Sequence, residues 1–72
     1  MISWNYRVIE FADLDGSPYR QIHEVHYEEG KPKYYAENPA HVMWSGDDDP
    51  KLILEMMTKA LEKPVIVEAD FL

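Results

Sequence analysis

Seventy-two residues, with seven Lys plus Arg against fourteen Asp plus Glu and no Cys, allow one small domain of formal net charge −7. They exclude a disulfide framework, a thiolate nucleophile and a thiolate metal site. A chain this short buries only about 60% of the surface its unfolded form exposes, so nearly every apolar residue is needed for the core and little is left for a cleft.

The charge is even along the chain. Residues 1–38 carry four basic and seven acidic side chains, and residues 39–72 carry three and seven. Nucleic-acid binding takes most of its affinity from clustered Lys and Arg, so this pattern predicts no DNA, RNA or anionic-membrane partner. The apolar run Leu52–Leu54 falls far short of the roughly 20 residues a spanning helix needs. The opening Met-Ile-Ser-Trp-Asn-Tyr-Arg has no signal-peptide layout. The expectation is a soluble, cytoplasmic protein.

In chain order, Trp4–Phe11 holds Trp, Tyr, Val, Ile and Phe without Gly or Pro and predicts a first strand. Its period is uneven. Trp4, Tyr6 and Val8 share one face while Ile9 and Phe11 take the other, so a bulge falls near Val8 or both faces are covered. Asp13-Leu14-Asp15-Gly16-Ser17-Pro18 stacks turn formers and predicts a hairpin loop longer than two residues. Tyr19–Tyr27 is the second strand, with Tyr19, His23, Val25 and Tyr27 on one face and Arg20, Ile22, Glu24 and His26 on the other. Glu28-Glu29-Gly30-Lys31-Pro32 is a turn, and Lys33–Glu37 a third strand ended by Asn38-Pro39. Ala40–Trp44 is apolar but short and reads as a loop packed on the sheet or a brief strand.

Asp49-Pro50 marks a helix start, because Asp caps free N–H groups and Pro is preorganised at the first helical position. The helix is expected from Pro50 to about Lys63, where Pro64 stops it. At about 100° per residue, the apolar arc from Leu52 through Met56, Ala60, Ile53, Met57 and Leu61 to Leu54 spans about 200°. A helix on one sheet needs a stripe of little more than about 100°, so Leu52, Leu54 and Met56 are surplus. Val65–Val67 allows a last short strand. The fold expected is α+β, a three-stranded antiparallel meander with one C-terminal helix packed on one face.

No constellation carries chemistry. His23 and His26 point to opposite faces of a strand and cannot chelate together, and neither they, His41 nor Asp47–Asp49 makes a zinc spacing. Asp13-x-Asp15-Gly16 resembles the start of a calcium loop, but the required Gly falls on Pro18. Ser3, Ser17 and Ser45 lie in no nucleophile elbow, and Glu28-Glu29 reads as solvated charge. The sequence therefore predicts no catalytic residue, no metal ligand and no cofactor. Two Trp, five Tyr and two Phe suit cross-strand pairs or a surface that binds protein.

Trp4-Asn5-Tyr6-Arg7-Val8-Ile9, Ile22-His23-Glu24-Val25-His26-Tyr27 with Gly30-Lys31-Pro32, and Ala60-Leu61-Glu62-Lys63-Pro64-Val65-Ile66 resemble the blocks of a family of short bacterial proteins of unknown function. That resemblance implies no activity. Three strands followed by a helix also resemble in shape the sheet domain of HicB-type antitoxins, without the N-terminal helix or DNA-binding segment of those proteins.

The expected function is a protein-interaction module whose partner is another protein chain, a second copy of itself included. If Trp4, Tyr6, Val8, Val25 and Tyr27 pack under the helix, the surface left over is Ile9, Phe11, Ile22, Leu52, Leu54 and Met56, a candidate two-fold homodimer interface. In the competing arrangement Ala40–Trp44 and the tail ending in Phe71-Leu72 cover the second face. Two other functions compete: a small-ligand or metal binder or minor enzyme using the His23 face, and an antitoxin-like or nucleic-acid-mimicking inhibitor.

Overall fold

The computed structural model describes residues 2–71. Strands β1 (Ile2–Ala12), β2 (Pro18–Glu28) and β3 (Lys31–Tyr35) form an antiparallel meander, followed by helix α1 (Pro50–Glu62), a short strand β4 (Ile66–Val67) and a 3-10 helix (Glu68–Phe71). The α+β meander is present, and the whole sheet is larger than it. Strand β4 returns beside β1 in parallel, Ile9 opposite Ile66, giving a curled mixed sheet of order β3-β2-β1-β4.

The turns follow from their residues. Between β1 and β2, Gly16 (φ +86°) allows its N–H to reach the Asp13 carbonyl at 2.9 Å, and Asp15 Oδ1 accepts from the Ser17 N–H at 2.9 Å. Those Ser17 donors hold the Asp15 carboxyl below its ordinary value. The β2–β3 connection is a two-residue loop in which Glu29 (φ +52°) and Gly30 (φ +80°) are both left-handed, as the twist of a tight hairpin demands. Strand β3 starts at Lys31, two residues earlier than expected. It accommodates Pro32 because it is the sheet's edge, and the register shift opposite His26/Tyr27 leaves Lys33 as the extra residue of a bulge. Beyond β3 the chain keeps touching β2, Ala36 N–H donating to the Glu24 carbonyl and Ala40 N–H to that of Ile22.

No bulge falls near Val8, and both faces of β1 are covered. The β1/β2 ladder runs unbroken from Ile2↔Glu28 to Ala12↔Pro18. It pairs Asn5 with Val25, Arg7 with His23 and Phe11 with Tyr19, and on the other face Trp4 with His26, Tyr6 with Glu24 and Val8 with Ile22. This corrects the expected grouping: Val25 and Tyr27 share a face with Ile9 and Phe11, not with Trp4, Tyr6 and Val8. Each strand was divided correctly, but the register joins the halves the other way.

The first face holds the main core. Ile9 and Val25 are 0% exposed, Phe11 is buried, and Tyr27, Tyr35 and Phe71 pack around them. Its cover is the 3-10 helix, which lies against β1, β3 and β4. Phe71 meets Tyr35 edge-on at 4.9 Å between centroids, and Tyr35 Oη donates to Glu68 Oε2 at 2.8 Å. The tail thus performs the covering considered above; Leu72 lies outside the described residues.

The second face carries α1, which packs on β1. Val8, Met57 and Ala60 are buried, and a groove beside the helix is lined jointly by Val8, Ile22, Leu61 and Val65. Asp49 caps the helix by accepting from the Lys51 N–H at 2.9 Å, Pro50 opens it, and Lys63 in extended conformation ends it before Pro64. Arg7 ties this end to the sheet, donating through Nη2 to the Pro64 carbonyl at 2.7 Å and through Nη1 to Tyr27 Oη at 2.9 Å.

Two tests arise from these local devices. A non-glycine residue in the left-handed region costs on the order of 1 kcal/mol, and Asn tolerates it better. Glu29→Asn is expected to stabilise by about 0.5–1 kcal/mol and to raise Tm by a few degrees in thermal melts. The Tyr35 phenol sits above its ordinary value because it donates to Glu68, with burial second. Below pH of about 10 it is protonated in folded and unfolded chains and its contribution is complete; that contribution is lost as pH rises through the raised value. The stability gap between the native chain and Tyr35→Phe, read by urea denaturation, should therefore close above that range.

Candidate interaction surface

His23 and His26 lie on opposite faces of β2, as strand alternation requires. His23 is 1% exposed, packed against the rings of Phe11 and Tyr35 at 5.2 and 5.3 Å. Its Nδ1 is 2.8 Å from the Ala36 carbonyl oxygen and its Nε2 is 3.0 Å from the Gln21 side-chain amide. A neutral ring satisfies both partners when Nδ1–H donates to Ala36 and the amide turns its nitrogen toward Nε2. Both nitrogens are engaged, so the ring offers no lone pair to a ligand. His26 is on the face that carries α1, half-buried and stacked on Tyr34 at 4.6 Å, while His41 is exposed in the linker after β3. No group of three or more His, Asp or Glu among the described residues is placed to hold a metal ion.

Of the expected surface residues, Ile9 and Phe11 are core, which removes them from any interface. They face inward because the register sets them opposite Gln21 and Tyr19, beneath the 3-10 helix. Ile22 is half-buried beside Val8 and Leu61. The helix residues Leu52, Leu54 and Met56 are exposed, and Met56 borders a hollow with Asn5, Tyr6, Lys59 and Lys63. The surplus apolar arc of α1 was therefore legible, while the strand contribution was not.

Two further parts of the surface escaped sequence reasoning. Val42, Met43 and Trp44 are exposed in an irregular linker, with Met43 bordering the sheet at Tyr6 and Glu24. On the helix-bearing face, Trp4 stands opposite His26 and meets Tyr6 edge-on at 5.4 Å, while Tyr34 continues the row on β3. A groove of about 290 Å³ beside this row is lined by Tyr6, Glu24, Pro39, Ala40, His41 and Met43. Burial first, and the Glu24 carboxylate second, push the Tyr6 phenol above its ordinary value, so it is a neutral hydroxyl at physiological pH. The signal for this row was the aromatic content of the strands; its exposure depends on how narrow a strip α1 covers.

The shape repeats the point. The radius of gyration is 13.1 Å, against about 11 Å for a compact chain of this length. The accessible surface is 5611 Å² for 8.5 kDa, against about 4,650 Å² for a typical folded monomer of that mass. No helix among the described residues is long and apolar enough to cross a membrane. No family model matches the chain, and neither a curated protein nor a solved structure is significantly similar to it.

The contrast between core and crest residues is measurable. Ile9→Ala should cost about 2–5 kcal/mol, whereas Leu54→Ala should stay within about 0.5 kcal/mol. Urea midpoints of the two variants check this; equal losses would place Leu54 in the core.

Proposed function

We propose that this protein is a protein-interaction module that works in the cytoplasm by presenting apolar side chains of α1, the 42–44 linker and the aromatic row to another protein chain. The observation that supports it is the excess of accessible surface combined with its composition: Trp4, Tyr34, Val42, Met43, Trp44, Leu54 and Leu61 are all exposed in so small a chain. Tyr and Trp are among the residues that dominate contact energy in such interfaces, and Met is enriched in them. Patches of this kind on monomers commonly mark interaction sites. Binding or catalysis on the His23 face has less to support it, since that ring is enclosed. The resemblance to short bacterial proteins adds no activity to this reading.

Affinity capture from a native cytoplasmic extract tests it, comparing the native chain with Trp44→Ser and with Leu54→Ser/Leu61→Ser, each checked for unchanged circular dichroism. A defined set of bound chains, lost or reduced at least tenfold with either variant, is the result expected. Identical recoveries from all three proteins would overturn the proposal.

A further inference from the structure

Among the described residues no other element covers the outer crest of α1: a shallow hollow on it is lined by Lys51, Leu54, Glu55, Thr58, Lys59 and Glu62, all from the helix itself. Leu54, within it, is 47% exposed. Two Lys and two Glu make this crest electrically neutral in a chain of net charge −7. Two copies can therefore meet here without the repulsion that acts elsewhere. None of the four joins an ion pair within the chain; among the described residues those pairs are Arg20–Glu10, His26–Glu24 and Lys33–Glu28.

We propose that the crest pairs with α1 of a second copy, antiparallel, about a two-fold axis near Met57. This names the partner for the interaction surface and rests on that reading. The positions of the charges carry it. In an antiparallel pair centred on residue 57, Glu55 of one copy stands opposite Lys59 of the other. Lys51 meets Glu62 within one residue, about 1.5 Å of helix rise. The rotational positions agree as well. At about 100° per residue, Lys51 and Glu62 lie about 20° apart and Glu55 and Lys59 about 40° apart, all on the crest. A two-fold axis perpendicular to the helices sets each flank against the same flank of the partner, so every contact occurs twice. One partner buries roughly 800 Å² in a standard interface. A single helix crest covers less than that, which puts the dimer in the weak, reversible class.

Sedimentation equilibrium from about 1 µM to about 1 mM, with two charge variants, tests the pairing. Lys51→Glu/Lys59→Glu makes the crest wholly acidic, and Glu55→Lys/Glu62→Lys makes it wholly basic. The native chain should pass from 8.5 kDa to twice that mass. Each variant alone should dimerise at least tenfold more weakly, and an equimolar mixture of the two should dimerise at least as well as the native chain. Circular dichroism confirms that each variant keeps its helix, and Leu54→Glu, which leaves the four charges in place, should also weaken the dimer at least tenfold. A constant 8.5 kDa for the native chain would overturn the proposal, as would a dimer indifferent to the charge variants. Either result leaves the wider interaction reading standing if capture still depends on Trp44 or Leu54.

Discussion

The unbroken ladder between β1 and β2 is the constraint on which the other contacts depend. Side chains alternate with a period of two, so fixing Phe11 opposite Tyr19 also fixes Arg7 opposite His23 and Asn5 opposite Val25. A slip of one residue would carry Ile9 and Phe11 to the helix side and Val8 to the core. The loop at Asp13–Ser17 holds that register, and the left-handed pair Glu29-Gly30 sets that of β3 on β2. Local turn chemistry thereby decides which apolar residues meet over distances of many residues.

With the register set, the two faces have different covers. One lies beneath α1, where a narrow contact on β1 buries Val8, Met57 and Ala60. The other lies beneath a single turn of 3-10 helix, held by Phe71 against Tyr35 and by the Tyr35–Glu68 hydrogen bond. Strand β4 connects them, since it places the tail on the opposite side of the sheet from α1. Arg7 reinforces this arrangement by joining the Pro64 carbonyl, at the exit from the helix, to the Tyr27 hydroxyl, which in turn donates to Asn5 Oδ1 at 2.8 Å. Charge-assisted bonds of this kind are stronger than neutral ones, and here one side chain links β1, β2 and the segment between α1 and β4.

The strands, the hairpin turns and the helix were legible because their signals are local. Asp49-Pro50 marks the start of α1 and Pro64 its end, and Gly30 marks the tighter hairpin. The pairing of faces was not legible: it depends on register, and the sequence places no residue that ties Val25 to Asn5 rather than to Trp4. The same gap explains the candidate surface. Leu52, Leu54 and Met56 follow from helical periodicity alone and are exposed. Ile9 and Phe11 required knowledge of which sheet face the tail covers. Trp44 illustrates the converse, since an apolar residue in an irregular segment has no period from which to read its direction.

The sheet edges are poorly suited to association through the backbone. An open edge strand offers unpaired N–H and C=O groups to any other chain. Strand β3 limits that hazard with Lys31 and Lys33, with Pro32, which lacks an N–H, and with the bulge that interrupts its ladder. On the other side, β4 presents only the two residues Ile66 and Val67. Both edges are therefore poor templates for a further strand. The negative charge of the chain keeps copies apart over most of the surface, at least within a Debye length of about 8 Å in physiological salt. What remains without net charge is the crest of α1 with Leu54, whereas the exposed linker at Val42–Trp44 runs directly into Asp47–Asp49. A chain approaching that crest would meet apolar surface with lysines and carboxylates in balance and no strand edge to compete for it.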